Sequence, residues 1–329
     1  MNERVAVVTT SYPRAPGDAA GHFVASEVRR LARAGYDVHV FAPGEDGRAS
    51  DAQVHLHWLG DRGAFGWPGA LPRLRENPTR ALGMCEFALR ATHALHTLGP
   101  FARLHAHFLV PCGWPVATLG FASSTLTEIE LIGHGSDVRT FCRLPKSLRR
   151  RIARAWLARR VQLRVTSHEL AALLSRHNPE LLSALRVAPS PIDVRGVPDR
   201  TTARQTLGLE PSATIAVIVS RLIPEKRVAT ALRALALLSG VSIIVVGDGP
   251  ELASLSTLFP GVQFTGRVTR PAALSFIAAA DVLLSASPEE GAPTVVREAR
   301  ELGIPVVAVT AGDLATWAER DAGILLVRG

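Results

Sequence analysis

The segment from Ser287 to Pro305 holds the densest group of residues that could bind a ligand. Pro293 suits the first turn of a helix, where the N–H that proline lacks would have no intrahelical acceptor. Gly291 allows a ligand or another backbone to approach closely. Backbone N–H groups at such a helix start form an anion site. We expect these groups to come from Ala292, Thr294 and Val295.

One carboxylate of this segment, Glu298, is a candidate for contacts with sugar or ribose hydroxyls. The predicted buried stripe of the helix contains Val295, Ala299 and Leu302. At about 100° per residue, Glu298 lies roughly 60° from the centre of that stripe, so we expect it to be partly buried and to need a partner. The alternative partners are Arg297 and Arg300, but both point away from the stripe.

A second candidate site is the basic segment Ser220–Lys226, which lies directly after a predicted strand. Arg221 and Lys226 at the carboxyl end of a strand suit a diphosphate. The alternative is an ordinary exposed basic turn. Of the 37 Lys and Arg residues, only those at positions 146 and 226 are Lys. This rarity of lysine favours a specific role for Lys226.

Three turns also follow predicted strands. His134 precedes a glycine turn after the strand at 128–132, although a lone histidine is more often structural than catalytic. Gly249 lies in Gly247–Pro250, which by itself is best interpreted as a tight turn. Arg267 and Val268 follow Gly266 after a further strand.

The elements that position these residues alternate between strands and helices. In the first half, we predict a helix at 22–34 and strands at 5–10, 37–42, 104–108 and 128–132. In the second half, strands at 215–219, 241–246, 263–265, 282–285 and 305–309 alternate with helices at 227–238, 251–258, 271–279 and 294–302. Short apolar strands alternating with helices indicate parallel sheets covered on both faces. The fold class is therefore α/β, with two doubly wound Rossmann-like domains, residues 1–192 and 193–329, facing a cleft.

Composition excludes several other classes of protein. Hydrophobic residues make up 47% and charged residues 20%, which does not fit wholesale disorder. The longest uncharged run, 108–127, contains prolines and glycines and indicates a loop with a buried helix, not a membrane span. The amino terminus does not have the pattern of a signal peptide. Three widely spaced cysteines indicate neither disulfides nor a metal box, so we expect a cytoplasmic protein.

No cluster of carboxylates or histidines with metal-ligand spacing is visible, so we expect no metal and no other cofactor. A nicotinamide dehydrogenase is excluded because the first strand is not followed by Gly-x-Gly-x-x-Gly.

The block at 287–308 resembles the E-x7-E motif of the family-4 retaining glycosyltransferases (glycosyl transferases group 1), which have the GT-B fold. The family pattern is Ser-x-x-Glu-Gly-x-Pro-x-x-x-x-Glu-Ala, followed by Gly-x-Pro-Val-Val-Ala. The matching residues are Ser287, Glu290, Gly291, Pro293, Glu298, Ala299, Gly303, Pro305, Val306, Val307 and Ala308. The resemblance implies that Glu290 contacts the donor sugar near its reacting carbon and Glu298 the ribose hydroxyls.

The resemblance extends to other segments. It implies that Arg221 and Lys226 hold the donor pyrophosphate and that the loop of Gly249 lies beside the donor. It implies that the backbone of Arg267 and Val268 reads the base. His134 would lie near the donor sugar and the acceptor, and would form the catalytic pair with Glu290. The family often has two glycines at a loop near the sugar, and this sequence has one of them, Gly21. The remaining implied donor contacts come from Gly291, Ala292, Pro293 and Thr294.

The function implied is transfer of a hexose-type sugar, with retained configuration, from a nucleoside-diphosphate sugar to an acceptor hydroxyl of a glycan or lipid-linked acceptor. Polysaccharide, glycolipid or cell-envelope biosynthesis is the expected setting. Two alternatives stay open, a non-catalytic nucleotide-sugar-binding member and a GT-B sugar-nucleotide epimerase. Ser220 and Arg227 stand where glycine is usual. The family's helices after the strand at 323–327 are not in this sequence, so we expect a shortened carboxyl-terminal domain.

The segment 143–164 contains nine basic residues and no acidic one, interspersed with apolar residues. It is either a solvated helix face or a surface that binds anionic lipid at the inner face of the cell membrane. Nucleic acid is not an expected partner, since no recognised binding fold is present.

Overall fold

The computed structural model describes residues 2–15, 17–51, 53–66, 69–118 and 128–328. The chain divides into two compact units, and the second begins at Ile192, close to the boundary predicted after residue 192. Residues Gly17–Ala19, which the sequence prediction gave to the first domain, also belong to the second unit. Each unit is an α/β domain built on a largely parallel sheet, as predicted.

The first unit has an eight-stranded sheet in the order β3-β4-β2-β1-β5-β6-β7-β8. Its strands are β1 Arg4–Val8, β2 Asp37–Pro43, β3 Gly47–Asp51, β4 Val54–Leu59, β5 Arg103–His107, β6 Glu128–Gly133, β7 Gln162–Val165 and β8 Leu185–Val187. Its α-helices are α1 His22–Arg33, α2 Ala70–Glu76, α3 Arg80–Leu98, α4 Ser136–Arg143, α5 Lys146–Ala158 and α6 His168–His177. All strand pairs are parallel except β3 with β4.

The second unit has a six-stranded parallel sheet in the order β11-β10-β9-β12-β13-β14. Its strands are β9 Thr214–Val219, β10 Val241–Val246, β11 Gln263–Gly266, β12 Val282–Ser285, β13 Val306–Val309 and β14 Ile324–Val327. Its α-helices are α7 Arg200–Leu207, α8 Val228–Leu235, α9 Leu252–Leu258, α10 Arg270–Ala279, α11 Thr294–Glu301 and α12 Leu314–Ala318.

The buried strands form because their residues are apolar on both faces. Val5, Ala6, Val7 and Val8 of β1 have no exposed surface, and β9 is buried from Ile215 to Ile218. At about 25 cal/mol per Å² of apolar surface, burying such strands is a leading contribution to folding. Within the described residues no helix is both long and apolar enough to cross a bilayer.

Helix α1 begins after Gly21, which the chain needs for its own packing. Gly21 has φ 63°, and a Cβ there would lie 2.2 Å from the carbonyl oxygen of Ser11. Only glycine tolerates both the left-handed backbone and this approach. The glycine that we expected to let a sugar approach closely therefore lets the chain's own backbone approach.

Some predicted bounds are wrong. Helix α8 ends at Leu235 and not at residue 238, and Leu237 beyond it is 86% exposed. Strand β1 ends at Val8, because the Thr9 hydroxyl then turns the chain by donating to the oxygen of Ser11 at 3.0 Å. The buried helix predicted within 108–127 is an irregular π-type helix, Leu109–Ala117. Residues 119–127 of that prediction lie outside the described residues.

A buried charge network, which the sequence did not reveal, ties α1 to the sheet of the first unit. Arg164 of β7 donates to both carboxylate oxygens of Glu27 at 2.6 Å, and its Nε lies 3.2 Å from Glu130. The His105 ring lies 3.3 Å from Glu27. Burial alone would raise the pKa of Glu27, but His105, His107 and Arg164 hold it well below its usual value.

We expect Arg164→Met to lower the free energy of unfolding by roughly 3–5 kcal/mol, because two buried carboxylates would lose their cation. Urea unfolding measures this loss. The matched control is Arg186→Met, since Arg186 also pairs with Glu130 but its side chain is 54% exposed. The control should cost less than about 1 kcal/mol. Equal losses in the two variants would contradict the central role of Arg164.

Candidate functional site

The candidate site of the second unit lies where its strand order changes direction. Strands β10 and β11 extend from β9 to one side and β12 to the other. Ligands of doubly wound sheets bind outside the carboxyl ends of the strands at such a switch point. The loops after β9 and β12 flank this point, and they carry Lys226 and Glu290. The structure brings these two predicted site residues together as an ion pair between two half-buried side chains.

The glycine loop after β10 is pressed against the loop after β9. A Cβ on Gly247 would lie 1.8 Å from the oxygen of Ser220, and one on Gly249 would lie 2.3 Å from the oxygen of Leu222. The amide of Leu222 in turn donates to the oxygen of Asp248 at 2.9 Å. Gly249 is therefore explained by close packing, which positions the loop that carries Arg221 and Lys226. Arg221 itself is exposed.

Arg227 stands where the resembling family has glycine, and its backbone shows why glycine fits there. Its φ of 48° places it in the left-handed region at the start of α8. For a residue with a Cβ, this conformation costs roughly 1–2 kcal/mol. The turn geometry is thus kept although the residue type has changed.

Helix α11 begins at Thr294 after Pro293, as predicted, but its buried face differs from the prediction. Val296, Glu298 and Ala299 are buried, whereas Val295 and Leu302 are only half-buried. The predicted residues Val295 and Leu302 still pack against the core, but Val296 is more deeply buried. The orientation of the helix places Glu298 fully inside, at 4% exposure.

Glu298 forms an ion pair with Arg270, a residue that was not among the neighbouring arginines considered from the sequence. Arg270 Nη2 donates to Glu298 Oε1 at 2.8 Å and approaches the oxygen of Asp193 at 3.4 Å. Arg300 instead binds Asp321 with two hydrogen bonds, at 2.8 and 3.0 Å. The sequence signal for Arg270 was weak, because only its place after the Gly266–Val268 loop connects it with the site.

The loop after β11 is held by contacts with the loop after β10 and with residues 17–19. The amide of Gly247 donates to the oxygen of Gly266 at 3.1 Å. Arg267 pairs with Asp18 at 3.2 Å, and the amide of Arg270 donates to the oxygen of Gly17 at 2.7 Å. The backbone around Val268 is thereby fixed at the same sheet edge as the Lys226–Glu290 pair.

The start of α11 supplies polar groups beside this pair. The first amides of a helix, here from Thr294 onward, have no intrahelical acceptor. Ser287 is buried, and its hydroxyl has no hydrogen-bond partner among the described residues. A Cβ on Gly312, after β13, would lie 2.1 Å from the oxygen of Gly291, so the loops of β12 and β13 support each other. Ala292 and Thr294 are half-buried.

In the first unit, His134 lies at the carboxyl end of β6, as predicted, and is fixed by Asp137. The Asp137 carboxylate accepts hydrogen bonds from the amides of His134, Gly135 and Leu109 at 3.0, 2.9 and 2.8 Å. His134 Nε2 lies 3.0 Å from His107 Nδ1, and the two rings stack at 8°. The sequence had only a weak signal for His107, its position at the end of β5.

Both imidazoles are neutral near pH 7. Burial lowers the pKa of His107 to about 3, with the charge of Arg164 adding to the effect. Burial, together with the neighbouring His107, holds the pKa of His134 well below its usual value. A neutral imidazole carries one N–H donor and one acceptor nitrogen. His134 can therefore exchange a hydrogen bond with a hydroxyl, but it does not bring a positive charge.

The structure brings together side chains that could hold a metal ion and that the sequence spacing does not indicate. Among the described residues, Asp37, His39 and His55 form one group of potential ligands, and Glu27, His105 and Glu130 form another. Each group joins residues from at least two elements, so no single local spacing announces the whole group. Arg164 already pairs with both carboxylates of the second group.

Because the pKa of His107 is about 3 in the folded chain and about 6.5 as a free side chain, stability should depend on pH. Between these values the unfolded chain binds a proton that the folded chain does not, so stability is lost as pH falls from 6.5 toward 3. In His107→Gln the urea midpoint should fall less steeply across this window than in the wild type. His93→Gln, at an exposed histidine of α3, is the control and should keep the wild-type slope. Parallel slopes for all three proteins would contradict this assignment.

Comparison with known proteins identifies relatives for this fold and site. Residues 213–329, which contain all the strands of the second unit, match the model of the family described as glycosyl transferases group 1. A protein of Bacillus subtilis, provisionally named as the teichuronic acid biosynthesis glycosyltransferase TuaC, is 30% identical over 220 residues. The alignment covers 65% of this chain and 54% of that protein, so the chain spans about half of this relative's length.

Solved structures show the same fold across nearly the whole chain. Sucrose-phosphate synthase from Thermosynechococcus elongatus matches with a TM-score of 0.77 at 20% identity, covering 99% of this chain and 86% of that one. HepE of Anabaena in complex with UDP-glucose matches with a TM-score of 0.66 at 17% identity, with the same coverages. The chain therefore has the GT-B fold, and its residues 213–329 match the model of glycosyl transferases group 1.

Proposed function

We propose that the protein is a retaining glycosyltransferase that transfers a hexose-type sugar from a nucleoside-diphosphate sugar to an acceptor hydroxyl. The observation that carries the proposal is the Lys226–Glu290 pair at the switch point of the second sheet, beside the start of α11. Three kinds of group thus lie within one small region. They are a cation that can bind phosphate, a carboxylate that can bind hydroxyls, and the free amides of a helix start.

The cations of this region have a role that follows from the chemistry of the donor. A nucleoside diphosphate leaves the sugar with additional negative charge on its terminal phosphate. Arg221 and Lys226, together with the first amides of α11, would stabilise that developing charge. In this proposal the two cations act where other transferases use a metal ion, and no cofactor takes part.

The carboxylates would bind the neutral parts of the donor. Glu290 would accept hydrogen bonds from sugar hydroxyls once the phosphates attract Lys226. Glu298, buried and paired with Arg270, would accept from the ribose hydroxyls. The backbone of Gly291, Ala292 and Pro293 and the Thr294 amide would line the same donor site.

The first unit would contribute the acceptor side of the reaction. His134 is neutral and its backbone amide is held by the Asp137 carboxylate, so it can orient an acceptor hydroxyl through a hydrogen bond. For the retaining step we propose front-face displacement, in which the leaving phosphate and the attacking hydroxyl share one face of the sugar. Orienting the two reactants is the main source of rate in such a step.

A transfer assay with radiolabelled UDP-, GDP- and ADP-sugars and a panel of lipid and glycan acceptors tests this function. We expect Lys226→Met and Glu290→Gln each to lower the turnover number by about 10²-fold or more, because each removes charge complementarity to the transition state. Glu289→Gln is the control, since Glu289 is exposed next to Glu290. NMR of the product gives the anomeric configuration, and an inverted product would refute retention.

Other outcomes of this assay point to other functions. Donor binding in a thermal-shift screen, without turnover on any acceptor, would replace the proposal with a non-catalytic nucleotide-sugar-binding protein. Conversion of the donor sugar in the absence of an acceptor would replace it with an epimerase.

A second proposal concerns the basic segment 143–164. In the structure its apolar residues, among them Ile152 and Trp156, pack into the core of the first unit. Arg149 and Arg164 are also buried, which leaves seven of the nine cations exposed. They are Arg143, Lys146, Arg150, Arg151, Arg154, Arg159 and Arg160. We propose that this surface binds anionic lipid headgroups by charge and without inserting apolar side chains, as a peripheral attachment of a cytoplasmic enzyme.

Vesicle sedimentation tests the lipid proposal. Binding to anionic vesicles should exceed binding to neutral ones and should weaken with salt. At about 1 kcal/mol per cation near the surface, Arg150→Glu, Arg151→Glu and Arg154→Glu together should weaken partitioning roughly 100-fold. The matched control makes the same charge change at exposed Arg30, Arg233 and Arg320. Equal binding to both kinds of vesicle would rule out the proposal.

A further inference from the structure

The first unit contains a cluster of imidazoles at the end of its sheet that lies away from His107 and His134. Asp37 is the first residue of β2, His39 lies two residues later, and His55 is the second residue of β4. Side chains two residues apart share a face of a strand. His39 and His55 are also paired in the parallel register of β2 and β4. The three side chains therefore meet at the amino-terminal end of these strands.

The ligand atoms of this cluster are spaced as in a metal site. His55 Nε2 lies 2.9 Å from Asp37 Oδ1, and His39 Nε2 lies 3.5 Å from Asp37 Oδ2. One nitrogen or oxygen from each of the three residues lies within 4.8 Å of the other two. Zinc bonds of about 2.0–2.1 Å in a tetrahedron place neighbouring ligand atoms roughly 3.3 Å apart. Small side-chain adjustments would accommodate an ion.

The second ring nitrogen of each histidine, Nδ1, already contacts a neighbouring side chain, as it does in metal-binding histidines. His39 Nδ1 lies 3.1 Å from His57 Nε2, and His55 Nδ1 lies 3.0 Å from the Ser50 hydroxyl. In metal sites such contacts at the distal nitrogen fix the tautomer and the ring orientation. His57 is itself held by stacking on Phe41, at 4.8 Å between ring centroids. Both Nε2 atoms thus remain directed to Asp37.

Arg4 now occupies the position beside these ligands. Its guanidinium lies 3.1 Å from His39 Nε2 and 3.6 Å from Asp37 Oδ2. It also contacts the oxygen of Pro100 at 3.2 Å and the ring of Phe101 at 4.8 Å. These two contacts can hold the side chain after it leaves the carboxylate. Arg4 and a bound cation therefore compete for Asp37.

We propose that Asp37, His39 and His55 bind one divalent transition-metal ion of the zinc class, with water completing its coordination. Two imidazoles and one carboxylate are a donor set that such ions accept. The site lies at the amino-terminal ends of the strands, whereas His107 and His134 follow carboxyl ends. Its role is to tie the starts of β2 and β4 together, independently of the proposed sugar transfer.

Zinc titration calorimetry on the full chain, without a polyhistidine tag, tests this site. We expect saturable binding of one ion and a rise in the thermal midpoint. His55→Ala, a half-exposed position, should abolish that binding, whereas His93→Ala, an exposed histidine of α3, should leave it unchanged. Ser50→Ala should weaken affinity about tenfold by removing a supporting contact. Arg4→Ala should strengthen it by removing the competing cation.

Cobalt titration gives an independent readout, because visible absorption reports nitrogen and oxygen ligation and zinc should displace it. Far-ultraviolet circular dichroism of each variant separates loss of the site from loss of the fold. The proposal is overturned if neither the wild type nor Arg4→Ala binds zinc saturably. It is also overturned if folded His55→Ala binds as the wild type does, or if His93→Ala loses binding to the same extent.

Discussion

Parallel pairing of strands buried on both faces is the constraint from which the rest of this structure follows. In each unit the central strand, β1 or β9, is almost fully apolar and has neighbours on both sides. Parallel neighbours require crossover connections, and these place every carboxyl end at one edge. The loops after β9, β10, β11, β12 and β13 are therefore gathered at one edge of the second sheet, where their glycines allow them to touch.

Charges inside the two units form ion pairs of two kinds. Lys226 with Glu290, and Arg270 with Glu298, satisfy each other in the absence of a ligand, so no described member of these pairs is left as an isolated buried charge. In the proposed function, a donor with a diphosphate and hydroxyls would offer the cations and the carboxylates of these pairs new partners. In contrast, Arg164, Glu27 and Glu130 form a closed network that holds α1 against the sheet. The first kind of pair can exchange partners, whereas the second is structural.

The histidines of the first unit divide in the same way between the two ends of its sheet. His107 and His134 stack at the carboxyl ends of β5 and β6, where burial lowers their pKa values and keeps them neutral. His39, His55 and His57 lie on β2 and β4 toward the amino-terminal ends, beside Asp37. Strand direction therefore places the two groups of histidines at different ends of the sheet.

The sequence by itself determined the alternation of elements, the start of α11 at Pro293–Thr294 and the presence of Lys226, Glu290 and His134 at strand ends. These features are local, because apolar runs, glycine turns and proline positions act over a few residues. Tertiary structure alone decided that Glu298 pairs with Arg270, that Val296 is buried more deeply than Val295 and that His39 meets His55. Such contacts depend on strand order, register and helix rotation, which are set by packing between segments distant in sequence.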